Sequence, residues 1–248
     1  MDLEKIATTP DKEINKEDIK WLTQSLLEQI KAYQRIMYAQ KKYSLLIIFQ
    51  GMDAAGKDGA VKDIFSWINP LWCRVFSRKA PNEEEREHDF LWRIHQRVPE
   101  RGMIHIFNRS HYEDVLVPTV EWLFSKEIIE KRYSHINNFE RLLVDNDTHV
   151  LKFYLHISPE EQKVRLKERL ENPQKFWKHN DGDRESRKKW DQYRNVYHTI
   201  FNECSEIPRH IIPADTNRWK VYQIAQVIVE HFEQMSLKRP ELESTKFD

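Results

Sequence analysis

Residues 51–59 read Gly51-Met52-Asp53-Ala54-Ala55-Gly56-Lys57-Asp58-Gly59, and they directly follow the apolar run Leu45-Leu46-Ile47-Ile48-Phe49. An uninterrupted apolar run is typical of a parallel strand that is buried on both faces. Gly51, four residues, Gly56 and Lys57 match the pattern of a phosphate-binding loop between a strand and a helix. Glycine lets backbone N–H groups turn towards a phosphate, and the lysine adds a mobile positive charge. Because three of the chain's five glycines lie in these nine residues, we predict a phosphate-binding loop and not a simple connection.

The loop departs from the usual pattern at two acidic positions. Asp58 stands where a Ser or Thr normally follows the lysine and binds Mg²⁺, and Asp53 lies inside the loop. A carboxylate beside a phosphate is repulsive unless a cation lies between them. Asp53 is therefore a candidate Mg²⁺ ligand, or a group that orients the attacking phosphate oxygen. The alternative for Asp53 is an Asx turn that only stabilises the loop, and the alternative for Asp58 is the start of the helix.

The composition of the chain excludes several classes of protein. Its 248 residues suit one α/β domain, and 40 basic residues balance 40 acidic ones, so net charge gives no reason to expect nucleic acid or membrane as a partner. Two cysteines form neither a disulfide framework nor a zinc pattern. The N-terminus lacks the order of a signal peptide, and the longest clean apolar run is far shorter than the roughly 20 residues of a membrane helix. We therefore expect a cytoplasmic protein.

The polarity pattern alternates between short apolar runs and amphipathic stretches. The predicted strands are 43–50, 73–77, 103–107, 149–157 and 210–212. The predicted helices are 13–42, 59–68, 82–98, 126–146, one that begins at a capping box in Ser158-Pro159-Glu160-Glu161, 186–203 and 217–236. This alternation predicts a central parallel sheet of about five strands with helices on both faces, in which ligands bind beyond the C-terminal ends of the strands.

A second polar cluster follows the third predicted strand and reads Phe107-Asn108-Arg109-Ser110-His111-Tyr112-Glu113-Asp114. Phosphoryl-transfer folds often place an acidic metal ligand at the end of this strand, but here that position is Asn108. Arg109 is suited to neutralise charge on a transferring phosphoryl group. The alternative is a polar loop without function. His111 is a conceivable phosphohistidine, although in-line transfer needs no covalent intermediate.

A third cluster is the cationic segment Lys163–Arg194. It holds eleven Lys or Arg and six acidic residues, a local net charge of +5 in a neutral chain, with Trp177, Trp190 and Tyr193 between them. A solvated helix face accounts for part of this charge. The functional alternative is a mobile lid, at about residues 160–195, whose cations close over phosphates. The pair Arg78-Lys79 after the second predicted strand points to the same ligand class.

These motifs, taken together and in this order, closely resemble those of the family-2 polyphosphate kinases. The resemblance rests on the loop at 51–59, Arg78-Lys79-Ala80-Pro81, the run from Asn108 to Val117, and the lid motifs Arg165 to Arg169, Trp177-Lys178 and Trp190-Asp191-Gln192-Tyr193. It covers about residues 20–235. It implies a P-loop kinase-like three-layer sandwich over residues 1–248, with a helical segment at about 13–42 and a helical lid. It also implies transfer of a terminal phosphoryl group between inorganic polyphosphate and a nucleotide, with Mg²⁺ or alternatively Mn²⁺.

The resemblance also implies roles for individual residues. Asp53, Lys57 and Arg109 would be catalytic, and Asp53 would be linked to the metal. Nucleotide binding would involve Asn108, Arg109 and Glu113. The His-Tyr-Glu-Asp version that contains Glu113 looks like the subgroup that phosphorylates both mono- and diphosphates. The residues expected to bind phosphate or polyphosphate are Gly51, Ala54, Ala55, Gly56, Lys57, Asp58, Gly59, Lys79, Arg169 and Lys178.

The leading hypothesis is a polyphosphate kinase that converts AMP and ADP to ADP and ATP by direct, reversible in-line transfer. The expected partners are polyphosphate, adenine or guanine nucleotides and further copies of the chain in a dimer or tetramer, with neither nucleic acid nor a membrane. One alternative is an ATP-dependent nucleoside monophosphate or small-metabolite kinase, and another is a non-catalytic polyphosphate or nucleotide sensor. A GTPase is disfavoured because the chain lacks an Asn-Lys-x-Asp motif.

Overall fold

The centre of the molecule is a five-stranded sheet in which all neighbouring strands run parallel. The computed structural model describes residues 3–10 and 15–242. The strands are β1 (Ser44–Gly51), β2 (Cys73–Ser77), β3 (Ile104–Asn108), β4 (Thr148–His156) and β5 (Arg209–Pro213). The predicted parallel sheet is confirmed: β1 and β3 are buried along their length and β4 almost so, whereas the edge strands β2 and β5 are partly exposed.

The helices surround this sheet. They are α1 (Lys16–Gln40), α2 (Lys57–Phe65), α3 (Glu83–Glu87), α4 (Trp92–His95), α5 (Glu113–Val120), α6 (Lys126–Asp145), α7 (Pro159–Glu171), α8 (Asp181–Lys188), α9 (Trp190–Glu203) and α10 (Asn217–Gln234). Short 3₁₀ turns occupy Leu3–Lys5, Pro70–Trp72 and Pro173–Lys178. In the described part of the chain, no helix is both long and apolar enough to cross a membrane.

The order of strands in the sheet is β2-β3-β1-β4-β5, which makes β1 the central strand, buried along its whole length. Helices α1, α2 and α10 pack together, and α5, α6 and α9 form a second packed group. The connection that leaves β1 enters the first group, and the connection that leaves β3 enters the second. When the connections that follow two adjacent strands lead to different groups of helices, a crevice opens at the C-terminal ends of the strands. Ligands of α/β proteins bind in such a crevice.

Side-chain caps define several helix starts. Asn82 and Glu85 form a reciprocal capping box at α3. At α7, Ser158 Oγ accepts from the Glu161 N–H, but the Ser158 N–H donates to Asp215 Oδ1 and not to Glu161. The predicted capping box is therefore only half formed, because Glu161 is paired with Arg165.

Two segments differ from the predicted elements. Residues 82–98 form α3 and α4 and not one helix, because Asp89 accepts hydrogen bonds from the backbone of both Leu91 and Trp92 in a turn between them. Helix α5 was not predicted, since Pro118 lies inside it. Proline donates no hydrogen bond to the carbonyl four residues earlier, and that carbonyl, on Asp114, accepts one from Arg132 instead. Both differences come from side-chain contacts that periodicity does not contain.

Candidate active site

The loop between β1 and α2 has the strained backbone that its glycines predict. Gly51 has a φ of 149° and Gly56 a φ of 90°, and Ala54 adopts a left-handed φ of 62°. A side chain at Gly51 would meet the Leu155 carbonyl oxygen at 2.8 Å. Gly59, by contrast, lies in α2 with open space around it. Two of the three loop glycines are thus required by geometry.

Lys57 is folded back onto the loop. Its Nζ donates to the carbonyl oxygens of Gly51 at 2.7 Å and Met52 at 3.1 Å, and its side chain is buried. Burial, together with the nearby charge of Arg109, lowers the pKa of Lys57 to about 8. The lysine is therefore held within the loop and adds its positive charge from a fixed place.

Arg109 pairs with the loop carboxylate. Its Nη2 lies 2.8 Å from Asp53 Oδ1, although Arg109 follows β3 and Asp53 follows β1. The backbone of Arg109 has a left-handed φ of 65°, and its N–H donates to the Phe49 carbonyl. Burial works against its charge, but the carboxylates of Glu113 and Asp53 raise the pKa of Arg109. The turn after β3 thus delivers a permanent cation to the phosphate loop.

Two cavities open at the C-terminal ends of β1 and β3. The smaller, which we call the Glu113 cavity, has a volume of about 210 Å³. It is lined by Gly51, Met52, Asp53, Arg109, Glu113, Leu116, Val117, Gln162, Asn180, Gly182, Asp183, Ser186, Tyr193 and Tyr197. Burial raises the pKa of Glu113, against the opposing charges of Arg109 and Lys57.

The second cavity, which we call the loop cavity, has a volume of about 340 Å³. It is lined by Asp53, Ala54, Ala55, Gly56, Lys57, Asp58, Gly59, Ser77, Arg78, Lys79, Asn108, Arg109, Arg169, Trp177, Lys178, Asn180 and Asp183. Asp53, Arg109, Asn180 and Asp183 line both cavities. The two spaces therefore meet at the Asp53–Arg109 ion pair.

The cationic segment supplies one wall of both cavities. Lys178 Nζ lies 3.5 Å from Asp58 Oδ2, and Asn108 Nδ2 donates to Asp58 Oδ1 at 2.7 Å. Burial opposes ionisation of Asp58, but the hydrogen bond from Asn108 and the charge of Lys178 lower its pKa. These contacts join the segment to the phosphate loop, so Asp58 does more than start the helix.

Most of the residues proposed from the sequence lie together. The residues expected to contact phosphate line the loop cavity, except Gly51, which lines the Glu113 cavity. Asn108, which was expected to bind nucleotide, lines the loop cavity, whereas Glu113 lines the Glu113 cavity, so nucleotide binding by Asn108 stays a prediction. His111 lines neither cavity. It is buried behind the site, where its Nε2 lies 3.1 Å from Glu140.

The sequence pointed to the pair Arg78-Lys79 as a match for phosphate, but only Lys79 was included among the expected binding residues, whereas both line the loop cavity. The guanidinium of Arg78 stacks over Phe107 at 5.1 Å, and its Nε and Nη2 are buried without a hydrogen-bond partner among the described residues. Burial, with the charge of Arg93, lowers the pKa of Arg78 to about 10. Its position beside Lys79 in the Arg-Lys-Ala-Pro motif was the available signal.

Asp183 is a residue that sequence reasoning missed. It pairs with Arg169 and faces Asp53, and burial followed by the charge of Asp53 raises its pKa. Asp53 and Asp183 are the carboxylates that line both cavities. Within residues 3–10 and 15–242, no group of three or more His, Cys, Asp or Glu is arranged to hold a metal. A cation at the junction would have to complete its shell with substrate oxygens and water, which is how Mg²⁺ is commonly held.

Known proteins are similar to this chain in sequence and in fold. The sequence profile of the Polyphosphate kinase 2 family matches residues 13–240. The AMP/ADP-polyphosphate phosphotransferase of Meiothermus ruber is 43% identical over 221 residues, which are 88% of this chain and 83% of that protein. The ADP-polyphosphate phosphotransferase of Rhodopseudomonas palustris is 39% identical over 241 residues, which are 92% of this chain and 83% of that protein.

A solved structure extends the similarity to the whole fold. The crystal structure of polyphosphate kinase 2 from Arthrobacter aurescens superposes with a TM-score of 0.95 at 34% sequence identity, over 100% of this chain and 89% of that one. The fold of this chain is therefore, over its whole length, the fold of that polyphosphate kinase 2 structure.

Proposed function

Because this chain belongs to the polyphosphate kinase 2 family, we propose that it transfers the terminal phosphoryl group of inorganic polyphosphate to AMP and to ADP, reversibly, with ADP and ATP as products. The observation that carries the proposal is the meeting of two cavities at the Asp53–Arg109 ion pair. Two polyanionic substrates need separate spaces, and their reacting groups must be adjacent. The Meiothermus ruber relative, which is named for both AMP and ADP, supports both acceptors.

Polyphosphate is proposed to bind in the loop cavity. Its cationic lining residues are Lys57, Arg78, Lys79, Arg109, Arg169 and Lys178. A chain of phosphates carries a negative charge on every unit, so it can use several cations along one cavity, whereas a small neutral acceptor cannot. The backbone N–H groups at the start of α2 add further positive potential.

The nucleotide is proposed to bind in the Glu113 cavity. Tyr193, Tyr197, Leu116 and Val117 offer aromatic and apolar surface for a nucleoside. The raised pKa of Glu113 means that this carboxyl group holds a proton more readily than an exposed one. The Arg109 guanidinium lines the same cavity and would offset the charge of Glu113 beside a nucleotide phosphate.

The proposed chemistry is a direct in-line displacement. An oxygen of the acceptor phosphate attacks the terminal phosphorus of polyphosphate, the bond to the next phosphate breaks, and the shortened chain leaves with the bonding electrons. Arg109, at the junction, is placed to neutralise charge that spreads over the transferring group. No covalent enzyme intermediate is needed, which agrees with the burial of His111.

The carboxylates at the junction fit a divalent cation, which we propose is Mg²⁺, with Mn²⁺ as a substitute. Asp53 would hold it, with Asp183 as the facing carboxylate. Two carboxylates with room for substrate oxygens match the preference of Mg²⁺ for mixed protein, water and phosphate ligands. When bound, the ion would neutralise negative charge between the two substrates.

A donor and acceptor matrix tests the proposed function. Polyphosphate or ATP is offered as donor to AMP, ADP, GMP and GDP, and products are separated by chromatography. We expect ADP from AMP, and ATP from ADP, with polyphosphate as sole donor and Mg²⁺ present. Turnover of AMP with ATP but not with polyphosphate would reject the proposal in favour of a nucleoside monophosphate kinase. Binding of both ligands without turnover would favour a sensor.

We also propose that the protein acts in the cytoplasm as a homo-oligomer, a dimer or a tetramer. The segment between α5 and α6 exposes Trp122, Leu123 and Phe124, with 88% of Trp122 accessible. Contact between copies would remove this apolar surface from water. Light scattering at micromolar concentration should report more than one chain per particle, and cell fractionation would test the location.

A further inference from the structure

Two cations lie behind the phosphate loop, on the side that faces away from the loop cavity. Lys220, in the first turn of α10, directs its Nζ at Gly56, and Arg165, from α7, directs its guanidinium at the same part of the loop. A Cβ at Gly56 would collide with Lys220 Nζ and would lie 3.3 Å from Arg165 Nη1. Neither residue lines the loop cavity or the Glu113 cavity.

Lys220 is an unusual buried cation. Its relative exposure is 1%, and its Nζ donates to Asn217 Oδ1 at 2.8 Å and to the Gly56 carbonyl at 3.3 Å. Among the ion pairs of the described residues, none involves Lys220, and its place in the first turn of a helix sets it against the helix dipole. Burying a cation without a carboxylate destabilises the fold. Such a cost points to a role outside folding.

All three guanidinium nitrogens of Arg165 have partners: Nε donates to Glu161 Oε1 at 2.8 Å, and Nη1 and Nη2 donate to backbone carbonyls. Its Nη1 donates to the carbonyl oxygens of Ala54 and Ala55, both at 3.1 Å. Its Nη2 donates to those of Ala214 at 2.7 Å and Asp215 at 3.0 Å, in the connection between β5 and α10. Arg165 therefore bridges the loop to the same part of the fold that carries Lys220.

The three carbonyls held in this way belong to consecutive loop residues, Ala54, Ala55 and Gly56. A peptide group directs its N–H opposite to its carbonyl oxygen, so fixing the Ala55 and Gly56 carbonyls on the outer side of the loop leaves the N–H groups of Gly56 and Lys57 on the inner side, while the Ala55 N–H donates to the Met52 carbonyl. Inward N–H groups are what a phosphate loop needs. The two cations also add positive charge a short distance behind those groups, in a poorly solvated place where charge acts strongly.

We propose that Lys220 and Arg165 are positioning residues, which hold the carbonyls of residues 54–56 outward and thereby keep the loop in its phosphate-binding form. They act through the loop and touch no substrate. The inference rests on the proposed binding of polyphosphate in the loop cavity. It predicts that these residues govern the affinity for polyphosphate and leave the affinity for the nucleotide largely unchanged.

The charge around Lys220 fits this role. Burial, then the neighbouring guanidinium of Arg165, lowers the pKa of Lys220 to about 8, while Asp63 and Glu161 act in the opposite direction. A bound polyanion at the loop would favour the charged amine. Lys220 would then stabilise the bound complex more than the free enzyme, which is the property of a residue that contributes to binding.

The test compares Lys220→Met, which removes the charge at similar length, with Lys220→Gln, which keeps a neutral donor. Lys62→Met is the matched control, because it removes an exposed lysine from α2 without touching the loop. Two quantities are measured: the KM values for polyphosphate and ADP, and the rise in melting temperature that polyphosphate alone produces. The second needs no turnover.

For Lys220→Met we expect a KM for polyphosphate raised about tenfold, the size that loss of a hydrogen bond from a charged group implies. We expect a smaller rise for Lys220→Gln, a KM for ADP within about twofold of wild type, and a reduced thermal shift with polyphosphate. Arg165→Met should behave like Lys220→Met, with Arg165→Lys intermediate. Lys62→Met should match the wild type in every measurement.

If the wild type turns over polyphosphate and Lys220→Met has the same KM for polyphosphate and the same thermal shift, the inference is overturned. The proposed function then stays intact. Equal rises in both KM values with a lower melting temperature would also overturn the inference, since that is the signature of a purely structural residue. A wild type that neither binds nor uses polyphosphate would reject the proposed function, and the inference with it.

Discussion

Asp53 and Arg109 form an ion pair of 2.8 Å although they follow different strands and are 56 residues apart in the chain. The pair exists because β1 and β3 are neighbours in the sheet, so the connections that leave their C-terminal ends, which lead to α2 and α5, begin side by side. Both side chains are partly accessible from the two cavities that meet there. An ion pair at this place keeps the cation oriented before substrates arrive.

Arg109→Met should lower kcat by about 10² to 10³, the usual cost of removing one preorganised group that stabilises a developing charge. Arg109→Lys should recover part of the loss, because a lysine keeps the charge without the forked geometry. Steady-state kinetics with saturating polyphosphate and ADP measures both. The control is Arg101→Met, which breaks the exposed pair of 3.2 Å with Asp147. A kcat for Arg109→Met within about threefold of the control would contradict a role in transfer.

Arg78→Met should raise the KM for polyphosphate about tenfold, because the buried guanidinium has unpaired nitrogens that a phosphate can satisfy. The melting temperature without substrate should stay the same or increase, since a buried cation with unpaired nitrogens is lost. Arg74→Met, which removes an exposed partner of Glu100, is the control. An unchanged KM with a lower melting temperature would assign Arg78 to the fold alone.

Asp183→Asn should increase the Mg²⁺ concentration that gives half-maximal activity about tenfold, the order of effect seen for groups that support a bound metal. The asparagine keeps the shape of the side chain but removes the charge that faces Asp53. Calorimetric titration of Mg²⁺ into enzyme with polyphosphate checks binding apart from turnover. Asp191→Asn, at an exposed contact with Arg194, should leave the Mg²⁺ dependence unchanged. If Asp183→Asn and Asp191→Asn need the same Mg²⁺ concentration for half-maximal activity, Asp183 does not support the bound metal.

A histidine cluster beside β4 should make the fold sensitive to acid. His149 Nδ1 and His231 Nε2 are 3.0 Å apart, and burial, followed by the charges of His149 and His210, lowers the pKa of His231 to about 4. The folded state therefore prefers neutral His231, and the stability it contributes is complete above about pH 6.5 and is lost as the pH falls towards 4. Each unit of difference between the pKa of His231 in the folded state and in the unfolded state corresponds to about 1.4 kcal/mol in the free energy of unfolding.

Urea unfolding between pH 7.5 and 4.5 measures this effect. In His231→Gln the free energy of unfolding should fall less steeply below pH 6.5 than in the wild type, because glutamine does not titrate. His135→Gln, at an exposed position on α6, should keep the wild-type slope. Parallel curves for His231→Gln and wild type would show that the acid sensitivity arises elsewhere.

The sequence was sufficient for the sheet and for the loop because both depend on local patterns. A continuous apolar run marked the central strand β1, and the spacing of Gly51, Gly56 and Lys57 marked the loop. Helix α5 was missed because Pro118 interrupts its pattern, and its missing hydrogen bond is compensated by Arg132, which follows later in the chain. A contact of that kind has no signature in a window of neighbouring residues.

The site was predictable where its residues belong to a motif and not where they meet through the fold. Lys79, Arg169 and Lys178 were identified from clusters of charge, and they line the same cavity as the loop. Asp183 lies inside a strongly basic segment, and its sequence neighbours do not indicate that it faces Asp53. Lys220 lies in a helix that periodicity assigns to the core, and nothing in the sequence showed that its amine would end at the phosphate loop.

The Lys220 amine fills the space that a side chain at position 56 would need, although 164 positions separate the two residues. Any side chain at position 56 would displace the amine, and an alanine at position 220 would leave the glycine without its neighbour. We therefore expect the two positions to vary together across natural sequences, with the glycine retained wherever the lysine is present. A designer who moves this phosphate loop into another protein would have to transplant a residue from the opposite end of the chain as well.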